Sequence, residues 1–115
     1  MKINLKNIAE SYFDLWKARD FAGLRPLFSE DVIFIGALAE AYGIEECLKG
    51  MQGLANIMTD IVIQHIWSDE SEIITWYELH TSQTSKPLTV ANWMHIENNK
   101  ISKIRVVFDP RPLIG

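Results

Sequence analysis

The chain has 115 residues, of which 48% are hydrophobic and 23% are charged, and its formal net charge is −4 at pH 7. These values are typical of a globular chain with its own core, so we expect residues 1–115 to form a single domain that binds no nucleic acid. Cys47 is the sole cysteine, which excludes an internal disulfide, and no apolar run has the length of a membrane span, so we expect a soluble cytoplasmic protein without a membrane partner.

The first predicted element is an amphipathic helix. Apolar residues recur with helical spacing over residues 5–16, and charged residues occupy the opposite side, so the helix should end near Ala18-Arg19. Asp20 can cap a second helix, which Pro26 should shorten or bend.

A short strand and a third helix follow. Residues 32–35 form an apolar run of strand length, whereas residues 37–42 fit a loop, a short strand or a helical turn. Gly43 opens a third helix with an apolar stripe on one side. Gly50 and Gly53 weaken this helix, and we expect them to permit close packing or a bend.

The second half of the chain predicts an antiparallel sheet. Its apolar runs are rich in Ile, Val, Thr, Trp and Tyr, and polar turns separate them, which is typical of strands joined by hairpins. Helices followed by such a meander predict an α+β fold. The predicted strands are residues 59–67, 72–82, 88–97 and 101–108.

Both faces of this sheet are predicted to be apolar. Side chains alternate between faces, and pairing around Asp69-Glu70 sets Trp67 opposite Glu72 and Ile63 opposite Trp76. The first face then carries Ile61, Ile63, His65, Trp67, Ile74, Trp76, Glu78 and His80. The second face carries Val62, Gln64, Ile66, Ile73, Thr75, Tyr77 and Leu79. Both faces must therefore be covered.

The register of the last two strands depends on the turn at Asn98-Asn99. A strict two-residue loop would set Met94 against Lys103. A longer loop or a bulge sets Met94 against Ile104, and we favour this register because it keeps one face apolar.

Several short motifs, in this order and spacing, resemble one family along nearly the whole chain. They are Ser11-Tyr12-Phe13, Trp16-Lys17-Ala18-Arg19-Asp20-Phe21, Leu27-Phe28-Ser29-Glu30-Asp31-Val32, Gly43, Lys100-Ile101-Ser102-Lys103-Ile104 and Val107-Phe108-Asp109. The chain resembles the nuclear-transport-factor-2-like superfamily, specifically its SnoaL-like and ketosteroid isomerase-like branch. The resemblance implies a cone-shaped α+β barrel, with a curved antiparallel sheet wrapped around three N-terminal helices, an interior pocket and commonly a homodimer across the outer sheet face.

The resemblance also implies positions for catalytic groups. Ketosteroid isomerase combines an Asp base with an oxyanion hole made of a Tyr and a neutral Asp. Tyr12 matches the tyrosine, and Asn92 matches the neutral acid if one residue is deleted in the following turn. Gly36 matches the base and cannot accept a proton, so the resemblance does not extend to ketosteroid isomerase activity.

The candidate pocket residues have structural interpretations as well as functional ones. Tyr12 is either a core tyrosine bonded to backbone or a group that faces a ligand. Asn92, on the face predicted to be inner, needs hydrogen bonds, and we favour a ligand as its partner. The predicted pocket lining is Trp16, Phe34, Met58, Thr75, Tyr77, Met94, Val106 and Phe108.

Catalysis would need an acid or base near the pocket. Glu40 is the best-placed loop carboxylate, although a solvated surface glutamate is the commoner explanation. Asp109 and Arg111 are second choices. No cofactor motif is present, and we expect no cofactor.

Three histidines on neighbouring strands, His65, His80 and His95, raise the possibility of a metal site. Their alternation places them on the outer face among tryptophans, so we interpret them as polar members of a mixed interface and expect no metal. Apolar residues left in water there would form too large a patch for a monomer, which predicts a two-fold dimer. The predicted dimer interface comprises Ile63, Trp67, Trp76 and Trp93.

Three functions fit the sequence. The first is a homodimeric pocket domain that binds a small, largely apolar molecule, with Tyr12 and Asn92 donating hydrogen bonds. The second is an isomerase, cyclase or dehydratase that uses a non-standard base, with Glu40 as the candidate. The third is a non-catalytic dimerisation module whose interior is filled by its own side chains.

Overall fold

A computed structural model of the chain describes residues 4–114. Helix α1 (Leu5–Lys17) is followed by the short helix α2 (Phe21–Leu24) and a 3₁₀ turn (Arg25–Leu27). The N–H of Gly23 donates to Asp20 Oδ1 at 2.8 Å, which confirms the predicted cap. Pro26 lies in the 3₁₀ turn, so the second helix is short, as predicted.

Six strands form one sheet within the described residues. They are β1 (Phe28–Ile35), β2 (Glu40–Tyr42), β3 (Met58–Asp69), β4 (Glu72–Thr81), β5 (Leu88–Glu97) and β6 (Lys100–Val107). The order is β2-β1-β6-β5-β4-β3, with β1 and β6 parallel and the other pairs antiparallel. The predicted α+β fold is confirmed as a curved sheet with N-terminal helices, but the sheet is not closed, because β2 and β3 are its edges.

Two helices pack on the sheet. Helix α1 contacts β3 and β4, and helix α3 (Ile44–Ala55) contacts β1 and β2. The Trp16 indole N–H donates to the Met51 carbonyl at 3.1 Å and so joins α1 to α3. The Arg19 guanidinium donates to the carbonyl of Ala55, the last residue of α3, at 2.9 Å and to that of Met58, the first residue of β3, at 2.7 Å. A last short helix, α4, spans Arg111–Ile114.

The predicted register between β3 and β4 is wrong in two respects. First, the turn lies one residue later, at Glu70-Ser71, which shifts each partner by two residues, so Trp67 lies opposite Ile74 rather than Glu72. A shift of two preserves the face, and Trp67 remains on the same side as Trp76. Second, a bulge between Ile63 and His65 reverses the alternation in the N-terminal half of β3.

The bulge moves two predicted outer residues to the inner face, which we define as the face that α1 covers. Ile63 lies opposite Tyr77, and Ile61 lies opposite Leu79. The ring centroids of Tyr77 and of Phe13 in α1 are 4.8 Å apart, which identifies this side as the inner face. Ile63 therefore packs against the core and does not belong to the outer surface.

The register of the last hairpin is confirmed. Met94 lies opposite Ile104, and the irregularity falls between His95 and Ile96. Asn98 and Asn99 in the turn have φ values of 49° and 66°, a conformation that asparagine tolerates better than most residues. Met94 and Ile104 consequently both lie on the inner face.

Alanine substitutions at two glycines around α3 should change the free energy of unfolding in opposite directions. Gly43 has φ 88°, a region that other residues adopt only with strain, so Gly43→Ala should lower the free energy of unfolding by about 1–3 kcal/mol. A Cβ at Gly50 or Gly53 meets no atom within 4 Å, so the expectation of close packing there is wrong. Gly50→Ala should instead raise the free energy of unfolding by about 0.5–1 kcal/mol. Urea denaturation followed by circular dichroism measures both changes, and two shifts of the same sign would contradict this assignment.

Candidate functional site

Asn92 lies in the middle of the inner face. It sits on β5 between Thr75 of β4 and Val106 of β6, and Asn92 and Thr75 are each 1% exposed. Within residues 4–114, neither Asn92 Nδ2 nor Oδ1 has a hydrogen-bond partner, and Thr75 Oγ1 also has none. A buried polar group that finds no partner costs about 1–3 kcal/mol, so Asn92 and Thr75 have hydrogen-bonding capacity that the fold leaves unused.

Two tyrosines meet Asn92 from different elements. Burial raises the pKa values of Tyr12 on α1 and Tyr77 on β4, and the proximity of Tyr77 raises that of Tyr12 further. The Asn92 side chain partly offsets both pKa shifts, so it lies beside both hydroxyls, although none of its contacts has hydrogen-bond geometry. We call Tyr12, Thr75, Tyr77 and Asn92 the interior polar cluster.

Aromatic rings surround this cluster. The centroid of Tyr12 lies 4.8 Å from that of Phe13 and 6.1 Å from that of Phe28, and both pairs are nearly perpendicular. The ring centroid of Trp16 lies 6.0 Å from that of Tyr12, and the Trp16 indole N–H already donates a hydrogen bond to the Met51 carbonyl. The interior polar cluster is therefore enclosed by apolar surface, which strengthens any hydrogen bond made there.

The cluster holds no charge. Among the described residues the buried polar side chains are Thr75, Thr81 and Asn92, so no carboxylate, ammonium, guanidinium or imidazole is buried with them. Elevated pKa values keep both tyrosine hydroxyls protonated near neutral pH. The cluster can thus donate and accept hydrogen bonds, but it contains no general base for neutral pH.

Gly36, the position that the resemblance assigns to a base, is closed off by a neighbouring ring. A Cβ placed at Gly36 would lie 2.8 Å from Phe34 Cε1 and 3.4 Å from the Ala39 carbonyl oxygen. The Phe34 ring therefore takes the space into which a side chain at position 36 would extend. An acid at this position would have to displace Phe34.

Glu40 lies on the wrong face for the role predicted for it. It pairs with Ile35, and the same row of the sheet continues through Arg105 to Trp93 on the outer face. Its Oε2 accepts a hydrogen bond from the Tyr42 hydroxyl at 2.6 Å at the exposed edge. The structure does not bring Glu40 to the interior polar cluster.

The second-choice groups are also engaged elsewhere. Arg111 Nη2 lies 2.6 Å from Asp109 Oδ2 in an exposed ion pair. That pair lowers the pKa of Asp109 through its hydrogen bonds with Arg111.

The structure places the predicted pocket lining in or against the core. Trp16, Met58 and Met94 are buried, whereas Phe34, Val106 and Phe108 are partly buried and pack on the core. Two open surface grooves lie elsewhere in the described part of the chain. One, of about 550 Å³, runs beside residues 83–89, and the other, of about 600 Å³, separates α2 from α3. Neither groove includes a member of the interior polar cluster.

The outer face exposes large apolar side chains. Trp67 is 53%, Ile74 44%, Trp76 41% and Val107 69% exposed, and Trp93 lies in the same surface partly buried. Ile74 and Val107 were not among the predicted interface residues, although the alternation along β4 and β6 indicated this face for both. We call Trp67, Ile74, Trp76, Trp93 and Val107 the outer tryptophan surface.

The histidines lie among these rings and acidic groups. His65 stacks on Trp67 with centroids 5.1 Å apart, and His95 stacks on Trp93 at 6.2 Å. His80 Nε2 lies 3.5 Å from Glu78 Oε1. In the part of the chain that the structure describes, no three His, Cys, Asp or Glu side chains form a group that could hold a metal ion.

Cys47 is buried beside the carbonyls of Val32 and Ala41. Burial, with a contribution from the nearby Glu46 charge, raises the pKa of its thiol to about 11. Because thiolates rather than thiols are reactive, this cysteine is a packing residue.

None of the helices in residues 4–114 is long and apolar enough to cross a membrane.

Comparison with solved structures identifies the class of fold. A nuclear-transport-factor-2-like protein of unknown function from Cytophaga hutchinsonii superposes with a TM-score of 0.88 at 18% identity, over 100% of this chain and 98% of that chain. A protein with a ketosteroid isomerase-like fold from Catenulispora acidiphila, in complex with trimethylamine, has a TM-score of 0.73 at 14% identity, over 89% of this chain and 85% of that chain. An epoxide hydrolase from Mycobacterium tuberculosis has a TM-score of 0.77 at 14% identity, over 92% and 83% of the two chains.

These similarities define a nuclear-transport-factor-2-like fold. Residues 9–104 match the family described as the SnoaL-like domain, and the chain belongs to this family. The predicted resemblance is confirmed at this level. A search of curated proteins finds no match to the sequence.

The unpartnered amide of Asn92 predicts an unusual effect on stability. Asn92→Leu replaces it with an apolar side chain of similar branching. The free energy of unfolding should therefore stay within about 0.5 kcal/mol of the wild-type value or exceed it by about 1–2 kcal/mol. Met94→Ala, on the same strand and face, should lower it by about 2–5 kcal/mol. Urea denaturation measures both variants. A loss greater than about 1 kcal/mol in Asn92→Leu would show that the amide is satisfied within the fold.

The buried tyrosines predict a loss of stability at high pH. Because the folded-state pKa values of Tyr12 and Tyr77 lie above the unfolded value near 10, the folded state holds more protons, and the free energy of unfolding should fall as pH rises above about 10. The double variant Tyr12→Phe with Tyr77→Phe should lose most of this dependence. Urea denaturation at several alkaline pH values provides the measurement, and an equal slope in both proteins would refute the prediction.

Proposed function

We propose that the domain binds a small, largely apolar ligand in its interior, and that Tyr12 and Asn92 donate hydrogen bonds to it. The observation that carries this proposal is the buried Asn92 amide, whose nitrogen and oxygen both lack partners among the described residues. A polar atom of a ligand would supply the hydrogen bonds that the fold does not. The aromatic rings around the interior polar cluster would contact the apolar body of the ligand.

Two solved structures with the same fold support the proposal of a small organic ligand. The relative from Catenulispora acidiphila is in complex with trimethylamine, and the relative from Mycobacterium tuberculosis is an epoxide hydrolase. The ligand would not reach the cluster through the two grooves described above, since neither groove includes a member of the cluster. Binding therefore requires local opening of side chains, which slows association.

The structure gives less support to an isomerase, cyclase or dehydratase. Phe34 closes the position of the lost base at Gly36, and Glu40 lies on the outer face. The interior polar cluster offers hydrogen-bond donors that stabilise a polar group but no group that removes a proton at neutral pH. We therefore propose binding as the function and do not assign a reaction.

A non-catalytic dimerisation module is the second candidate. The observation that favours it is the closed packing of the interior, in which Tyr12, Phe13, Phe28 and Tyr77 fill the space between α1 and the sheet. In this case Asn92 would be a local irregularity of the core without a ligand.

Either function fits a homodimer formed through the outer tryptophan surface. Trp67, Ile74 and Trp76 remain 41–53% exposed in one chain, and a two-fold sheet-to-sheet contact would bury the same patch on both subunits. Ile63 is left out of this interface because the bulge in β3 turns it inward.

Native mass spectrometry of gently purified protein tests the binding function. We expect wild-type protein to retain a bound small molecule and Asn92→Leu to lose it, because the ligand loses its hydrogen bonds to the amide. Thr89→Val, an exposed change on the same strand, is the matched control and should retain the molecule. A mass equal to that of the chain alone, together with no binder in a fragment screen by NMR, would support the dimerisation module instead.

The dimer is tested by light scattering. Wild-type protein should have the mass of two chains at micromolar concentration, and Trp76→Glu should reduce it to one, because a buried carboxylate without a partner disrupts an apolar interface. Gln52→Glu adds the same charge on exposed α3 and should leave the dimer intact. A monodisperse wild-type monomer would rule out the interface.

A further inference from the structure

The hydrogen-bonding capacity of Asn92 and Thr75 restricts the chemistry of the ligand. An asparagine side chain offers two N–H donors and a carbonyl acceptor, and a threonine hydroxyl offers one donor together with acceptor capacity. All of these remain unpartnered in the described part of the chain. We infer that the interior polar cluster recognises a neutral planar group that carries a donor and an acceptor side by side, as in a carboxamide or a lactam. This inference rests on the ligand-binding function proposed above.

The position of the two side chains supports a paired contact. Asn92 and Thr75 lie directly opposite each other on β5 and β4, where Cβ atoms are separated by about 4.5–5.5 Å, and both occupy the inner face. An asparagine amide binds a group with adjacent donor and acceptor atoms through two hydrogen bonds, as it does at an adenine edge. A ketone would accept from Nδ2 but would offer no donor to Oδ1, which would then have only the neighbouring tyrosine hydroxyls as donors. The ketone would therefore make one hydrogen bond fewer to the amide than a carboxamide and would bind less tightly.

The absence of charge in the described interior excludes ionic ligands from this site. No ionised side chain is buried beside the cluster, so a carboxylate or an ammonium group would lose its hydration without gaining a counter-charge. The Oδ1 lone pairs of Asn92 would additionally repel an oxyanion. The same residues that resemble an oxyanion hole therefore select a neutral ligand.

Four small probes with the same ring separate these chemistries. Benzamide carries a donor and an acceptor, acetophenone only an acceptor, and benzoate and benzylamine carry opposite charges near neutral pH. Titrations followed by protein-observed NMR should show that benzamide binds at least about tenfold more tightly than acetophenone. The two ions should bind at least about 100-fold more weakly than benzamide.

Variants connect this preference to the site. Asn92→Leu should reduce the difference between benzamide and acetophenone to less than about twofold, whereas the exposed change Thr89→Val should preserve it. Chemical-shift changes should centre on the strands that carry Thr75 and Asn92 in the wild type.

The outcomes distinguish the inference from the proposed function. Equal or tighter binding of acetophenone, or tight binding of either ion, would overturn the carboxamide preference while leaving the interior ligand site in place. If no probe binds, the inference fails, and the proposed function fails with it unless native mass spectrometry shows a bound molecule.

Discussion

A side-chain amide enclosed in an apolar core loses its hydrogen bonds to water and must replace them, or it lowers the stability of the fold. Asn92 is under this constraint at the centre of the inner face, between the apolar residues Val90 and Met94 on its own strand. Thr75 shares the constraint on the next strand. The function of the interior depends on which groups form hydrogen bonds with Asn92 and Thr75.

The sheet must hide apolar residues on both of its sides. Along β4, Ile73, Thr75 and Tyr77 are buried on the inner face, and the alternate residues Ile74 and Trp76 are exposed on the outer face. One strand therefore contributes both to the interior polar cluster and to the outer tryptophan surface. The first surface is covered by α1, and we propose that a ligand binds there, whereas the second is exposed, and we propose that another subunit covers it.

Strand alternation predicted much of this arrangement. It assigned Thr75, Tyr77 and Asn92 to the inner face, and it indicated the register of the last hairpin through the need to keep Met94 opposite Ile104. It failed at Ile63, because a bulge adds one residue to a strand without leaving a mark in a regular apolar pattern.

Other features could not be read from local patterns. Glu40 lies in a strand of three residues, which is too short to show alternation, so its face became visible only through pairing with β1. The helical spacing of α1 places Tyr12 on the buried stripe but does not separate a core tyrosine from one beside a polar group. Its proximity to Asn92 depends on how α1 crosses the sheet, which is a property of tertiary packing.

A high-resolution crystal structure of protein purified without denaturation tests the central claim most directly. The account predicts electron density for an organic molecule whose polar atoms lie within hydrogen-bond distance of Asn92 Nδ2 and Oδ1. A closed interior in which Asn92 bonds only to ordered water or to the backbone would contradict it.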